Sequence, residues 1–306
     1  MQVPELSKED VALIIPQTQE VEEPIKGGQK IVFPCKVNNH RIALKFLLAA
    51  VGTIYEDITF EVDVSQEVLA RTRREVDIIA SCRSPHVIKL GSIPIGYARY
   101  GPQELIYFSE EYVEGQNLKE YIRERKVLSL HEVCRLGIEV TMAIAELWRF
   151  AKIHRDIKPG NIMRRSNGQF VLLDMGLAFD VMVESLTMTG LITGTAMYMS
   201  PEQTESHKKR QMDFRSDLFS LGIVLYEALT GRHPFFDPRR RPSHMDILEA
   251  ILVADPEDPE IHRPGIPPRL KETVMRLLGK EPHLRFRDCH QVIRALEGVR
   301  EQIGGR

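Results

Sequence analysis

Apolar positions in the first third of the chain come in short runs bounded by turn formers. Ile31-Val32-Phe33 and Ile42-Ala43-Leu44-Lys45-Phe46 are separated by Asn38-Asn39-His40, a pattern that predicts two strands joined by a tight turn. Residues 66–83 then place Val68, Leu69, Val76, Ile79 and Ala80 at near-helical spacing. This predicts a helix that ends before Pro85. Further strand-like runs follow at Val87 to Leu90 and Leu105 to Phe108, and an extra strand is expected around Ile58 to Val62. After Gly115 the period lengthens. Leu118 to Arg125 and His131 to Phe150 read as amphipathic helices. Asn161-Ile162-Met163 and Phe170 to Leu173 read as short strands around the turn Ser166-Asn167-Gly168. Residues 177–200 show no period and predict a long loop. Asp217 to Thr230 predicts an apolar helix closed by Gly231, and two more helices are expected beyond about residue 270. A strand-rich part therefore precedes a larger helical part. Residues 1–23, with Pro4 and Pro16, read as an extension with room for one short helix or strand.

Composition narrows the class. A chain of 306 residues suffices for one large domain or two lobes with their own cores. A formal net charge of −2 gives no reason to expect nucleic acid or an anionic membrane as partner. No apolar run is long enough to cross a bilayer, and the amino terminus lacks the basic-then-apolar pattern of a secretory leader. Cys35, Cys82, Cys134 and Cys289 are far apart, which argues against a disulfide framework or zinc site and for a reducing compartment. The expected location is cytoplasmic.

The chemistry concentrates in His154-Arg155-Asp156-Ile157-Lys158-Pro159-Gly160-Asn161, followed by Asp174 at the end of an apolar run. Transfer of a phosphoryl group from a magnesium nucleotide needs a carboxylate to orient the attacking hydroxyl. It also needs a cation to offset phosphate charge and oxygen ligands for the metal. Asp156, Lys158, and the pair Asn161 and Asp174 supply these in order. A strand-end aspartate by itself is usually a turn former; its distance from the H-R-D-x-x-x-x-N run makes Asp174 a metal ligand.

At this point the chain resembles the eukaryotic-like Ser/Thr protein kinase family over about residues 25–300. The resemblance implies an α+β, bilobal protein-kinase-like fold, with a small antiparallel-sheet amino-terminal lobe carrying one main helix and a larger, mainly helical carboxy-terminal lobe. The expected boundaries are an extension at 1–23, the amino-terminal lobe at 24–113 and the carboxy-terminal lobe at 114–306, so that 24–306 is one kinase domain. Ile42-Ala43-Leu44-Lys45 looks like the family's lysine strand, which assigns Lys45 to nucleotide phosphates, and Glu75 looks like its helix partner, with Glu67 on the same helix as an alternative. Alone, Lys45 would read as an edge-strand lysine and Glu75 as a helix-surface charge. The resemblance adds Gly27, Gly28, Val32, Ala43, Glu111, Val113 and Met163 as nucleotide-binding positions. It implies ATP and Mg²⁺, with Mn²⁺ as the alternative ion, and protein substrates bearing Ser or Thr. It assigns no oligomeric state. Ser200-Pro201-Glu202 resembles the end of an activation segment, Asp217 to Gly222 a scaffold helix whose aspartate binds the catalytic-loop backbone, and Arg285 the partner of Glu202. Arg155 implies regulation by phosphate on Ser185, Thr187, Thr189 or Thr193, with Thr195 near Asp156.

Two departures bear on activity. The glycine loop is reduced to Gly27 and Gly28, which weakens backbone access to phosphate. Glu110 falls at the gatekeeper position or, one register along, in the hinge; if buried, its carboxylate must be hydrated or paired. Beside an active kinase, the chain is therefore compatible with a pseudokinase that binds nucleotide or a partner without efficient transfer. A small-molecule phosphotransferase is disfavoured by Ser200-Pro201-Glu202 and Asp217.

Overall fold

A computed structural model of the chain describes residues 5–26, 30–48, 64–101, 103–174, 196–204, 212–240 and 242–304. Two compact units emerge. One comprises the chain up to Cys82 together with Ile88–Val113; the other comprises Arg83–Val87 and the chain from Glu114 onward.

The first unit is built on a five-stranded antiparallel sheet, in order β1 (Ile25–Lys26), β2 (Lys30–Val37), β3 (His40–Leu48), β5 (Gln103–Glu111), β4 (Gly96–Tyr100). The expected turn forms between β2 and β3. Asn38 and Asn39 adopt φ of 49° and 63°, the left-handed pair that matches the twist of a two-residue hairpin. Alternation then sorts the two faces. Ile31, Phe33, Cys35, Val37, Ile42, Leu44 and Phe46 point into one core, which also takes in Leu6, Val11 and Ile15. Helix α1 (Lys8–Ile14) delivers Val11 to this core. It starts at Ser7, whose hydroxyl accepts from the Asp10 N–H, while the Asp10 carboxylate accepts from the Ser7 N–H. The amino-terminal segment thus closes one face of the sheet. Helix α2 (Val64–Ser81) follows the expected span closely. The strand expected at Val87 to Leu90 is reduced to two single bridges. Val87 pairs with Leu172 and Leu90 with Glu110, so its two ends have different partners and no continuous ladder forms.

The second unit is mainly helical. A three-stranded sheet of β6 (Gly115–Asn117), β7 (Ile162–Arg165) and β8 (Phe170–Leu172) carries the candidate catalytic loop just before β7. Helix α3 (Leu118–Arg125) is followed by α4 (Leu130–Trp148), and then by the short α5 (Pro201–Thr204), α6 (Phe214–Thr230), α7 (His244–Val253), α8 (Pro268–Leu277) and α9 (Cys289–Gly304). Nearly every residue of α6 is buried, as expected of a helix that is apolar all round. Gly231 stops it with φ 69°. Gly222 lets α6 approach α8, since a Cβ there would lie 2.9 Å from Cβ of Leu277. Helix α7 is an element that the apolar pattern did not predict; Ser243 and Asp246 form its capping box. None of the described helices is long and apolar enough to cross a membrane.

Candidate active site

The candidate residues form two groups, one in each unit. In the second unit, buried Asp217 of α6 accepts the N–H of His154 and of Arg155, each at 2.8 Å. Burial raises the Asp217 carboxyl above the ordinary range, although His154 and these donors pull against the shift. Gln203 donates its amide to the Arg155 carbonyl at 2.9 Å. Both sides of Arg155 are therefore clamped, which holds it at φ 66°, a left-handed conformation that costs a non-glycine residue roughly 1–3 kcal/mol. His154 Nδ1 accepts the Asp156 N–H at 3.3 Å, so its proton sits on Nε2, which donates to the Leu173 carbonyl at 2.8 Å.

This frame positions Asp156. Its Oδ2 accepts from Lys158 Nζ and from Asn161 Nδ2, both at 2.8 Å. Asn161 Nδ2 also donates to the Asp156 carbonyl at 2.8 Å, which commits the amide nitrogen and turns the amide oxygen the other way. Asp156 Oδ1 is buried and meets no hydrogen-bond donor among the described residues. The structure thus brings Asp156, Lys158 and Asn161 together. Asp174 follows directly on Leu173, whose N–H donates to the Asn161 carbonyl at 2.8 Å. Asp174 also lies in the left-handed region, at φ 51°. Met163 sits on β7, opposite Asn117 and Val171.

A second clamp ties the Ser200-Pro201-Glu202 segment down. Arg285, 1% exposed, donates to both Glu202 oxygens at 2.6 and 2.9 Å, and Ser216 Oγ donates at 2.7 Å. Burial would raise the Glu202 carboxyl, but Arg285 and Ser216 hold it below its ordinary value. The partnerships expected for Asp217 and Arg285 are both borne out. Gln203 escaped the sequence reading, although it directly follows Ser200-Pro201-Glu202.

In the first unit, the register pairs Val32 with Lys45 and Lys45 with Phe108, and Ala43 with Glu110. Val32, Ala43 and Lys45 therefore share the sheet face opposite Phe33 and Leu44. Lys45 Nζ lies 2.5 Å from Glu110 Oε2, with both side chains buried. Glu110 is thus paired, as its burial required. Glu111 accepts the Lys89 N–H at 3.2 Å, and Val113 is buried at the end of the unit. Glu75 lies on α2, and its side chain is outside the described residues. So are Gly27, Gly28, the strand expected at Ile58 to Val62, and the activation-loop positions Ser185, Thr187, Thr189, Thr193 and Thr195.

An antiparallel sheet unit, a helical unit, and an Asp–Lys–Asn loop anchored by a buried helical aspartate together define a protein kinase. The protein kinase domain family matches residues 43–295, and the chain belongs to it. Among its relatives is a probable serine/threonine-protein kinase of Clostridium perfringens, 30% identical over 90% of this chain and 37% of the relative. Serine/threonine-protein kinase PknL of Mycobacterium tuberculosis is 35% identical over 63% of this chain and 47% of its own length. Serine/threonine-protein kinase PrkC of Bacillus subtilis is 30% identical over 75% and 33%. The chain spans well under two thirds of the length of these relatives.

Proposed function

We propose that this chain is an ATP-dependent Ser/Thr protein kinase, transferring the γ-phosphate to Ser and Thr hydroxyls of protein substrates and of its own activation segment. The observation that carries this reading is the unequal carboxylate of Asp156. One oxygen is held by Lys158 and Asn161, and the other is buried and meets no donor among the described residues. A substrate hydroxyl supplies that donor, and Asp156 orients it and takes its proton. Lys158 offsets charge on the phosphoryl group in transit. Asn161 and Asp174 offer hard oxygen donors of the kind Mg²⁺ or Mn²⁺ prefers, and Mg²⁺ characteristically takes only one or two protein oxygens beside phosphate. The ion, when bound, neutralises charge on the nucleotide phosphates.

In this reading Lys45 binds the α- and β-phosphates and Glu75 faces it from α2. Gly27 and Gly28 cover the phosphates, while Val32, Ala43, Met163, Glu111 and Val113 contact the base. The kinase domain runs from 24 to 306, with the lobe boundary in sequence at 113/114, and residues 1–23 are an extension whose Leu6, Val11 and Ile15 join the sheet core. The location is cytoplasmic, which fits four free, buried cysteines. Incubating the purified protein with labelled ATP, Mg²⁺ and a generic protein acceptor tests the proposal. Label on Ser or Thr of the acceptor is expected with the wild type and not with Asp156→Asn. Label appearing equally with both would refute it.

A further inference from the structure

We infer that Glu110 is a positioning residue for Lys45, which fixes the phosphate-binding ammonium from within the sheet. The inference rests on the kinase reading above, in which Lys45 meets nucleotide phosphates.

The geometry is that of a diagonal cross-strand pair. Lys45 on β3 stands opposite Phe108 on β5, and Glu110 stands one row further along, opposite Ala43. Alternation puts Lys45, Phe108 and Glu110 on the same face of the sheet, within reach of a long side chain. The Nζ–Oε2 distance is 2.5 Å, and the two side chains are 5% and 3% exposed. The Phe108 ring lies beneath the ammonium, with its centroid 5.9 Å from Nζ. Water screens such a pair little, so the attraction is strong and its geometry is held.

The carboxylate itself is set on rigid backbone. Beyond its ladder with β3, Glu110 bridges Leu90. The Glu111 N–H donates to the Lys89 carbonyl at 2.8 Å, and the Gly91 N–H to the Ser109 carbonyl at 2.8 Å. The strand is thus paired on both sides at Glu110. A carboxylate mounted this way is held by the sheet backbone. An ammonium has three donors in a compact head, so one carboxylate can hold it while it contacts phosphate. Holding a flexible lysine in its working rotamer before nucleotide arrives lowers the ordering cost of binding. It also suits a chain with few glycines over the phosphates.

The test is a binding cycle with ATP and Mg²⁺ on the whole protein, using Glu110→Gln, Glu110→Asp, Lys45→Met and the double variant Lys45→Met with Glu110→Gln. Glu110→Gln keeps the shape and removes the charge, and is expected to weaken ATP binding about tenfold. Glu110→Asp restores most of the loss. Because Glu110 acts through Lys45, the double variant binds no worse than Lys45→Met alone. In turnover, KM for ATP rises while KM for the protein acceptor does not. Wild-type affinity in a folded Glu110→Gln, or tighter binding, overturns the inference. Additive losses in the double variant also overturn it. If Glu110→Gln fails to fold, Glu110→Met, which removes the charge without leaving a buried amide, is measured in its place: ATP binding about tenfold weaker supports the inference, and wild-type affinity overturns it. A wild type that does not bind ATP at all would instead sink the kinase reading.

Discussion

At Asp156 the two carboxylate oxygens have different surroundings, and each makes a separate prediction. The held oxygen, Oδ2, depends on Lys158 and Asn161, whereas the buried Oδ1 has no donor among the described residues. Asp156→Asn should lower transfer by roughly 10²–10⁴-fold and leave ATP binding near wild type, because it removes the proton acceptor and spares the nucleotide contacts. Asp174→Ala should remove transfer and also weaken Mg²⁺-dependent ATP binding. Titrating ATP into both variants with and without Mg²⁺ separates the roles; full Mg²⁺-dependent affinity in Asp174→Ala would reassign the metal. The residue set of the catalytic loop was legible because its chemistry lies within eight consecutive positions plus Asp174. Glu110 was legible only as a buried carboxylate in need of a partner. Naming Lys45 required the register of β3 against β5, which local sequence does not encode. Gln203 was hidden for another reason: an amide bridging to a carbonyl 48 positions away leaves no periodic or motif signal.

Among the elements, α6 does the most to hold the loop in place. Asp217 near its start takes two catalytic-loop N–H groups, and Ser216 and the Arg215 carbonyl join the Glu202–Arg285 pair. Replacing Arg285 by Leu strands a buried carboxylate and should cost about 3–5 kcal/mol. Urea unfolding would measure it, and a loss below about 1 kcal/mol would place the pair among solvent-screened contacts. Gly222→Ala, which drives a methyl group to 2.9 Å from Leu277 Cβ, should cost about 1–3 kcal/mol through overpacking. An unchanged urea midpoint would show that α8 shifts to absorb it. This helix was readable from its apolar run Leu221 to Tyr226 and its closing Gly231. By contrast α7 was not, since Met245 and Val253 are exposed and its apolar residues mark only part of one face. The Val87 to Leu90 run looked like a strand because it is mostly apolar, but its ends bridge to different partners.

On the scale of the whole molecule, stability and activity lead to separate expectations. Burial lifts the half-buried Glu227 carboxyl to about 7, against the opposing hydrogen bond from Tyr198 at 2.8 Å. A carboxyl that holds its proton more tightly folded than unfolded stabilises the fold fully below its unfolded pKa. That contribution fades as pH rises and is gone above the folded pKa. The wild-type melting temperature should therefore fall between about pH 5 and about pH 8, and that of Glu227→Gln should fall less. Parallel slopes would show that Glu227 is ionised throughout. The division into a sheet unit and a helical unit was visible in the change of apolar period after Gly115. The contribution of Leu6, Val11 and Ile15 to the sheet core was not, because a single short helix carries too few apolar positions to reveal which face it covers. The proposed activity is phosphoryl transfer to hydroxyls directed by Asp156. Site-resolved mass spectrometry of the wild type and Asp156→Asn, each incubated with ATP, Mg²⁺ and a protein acceptor, tests it most directly. Phosphate is expected on Ser and Thr of the acceptor and on Thr187 or Thr189 of the wild type, with neither in Asp156→Asn. Phosphate at the same positions in both proteins, or none in the wild type, would contradict it.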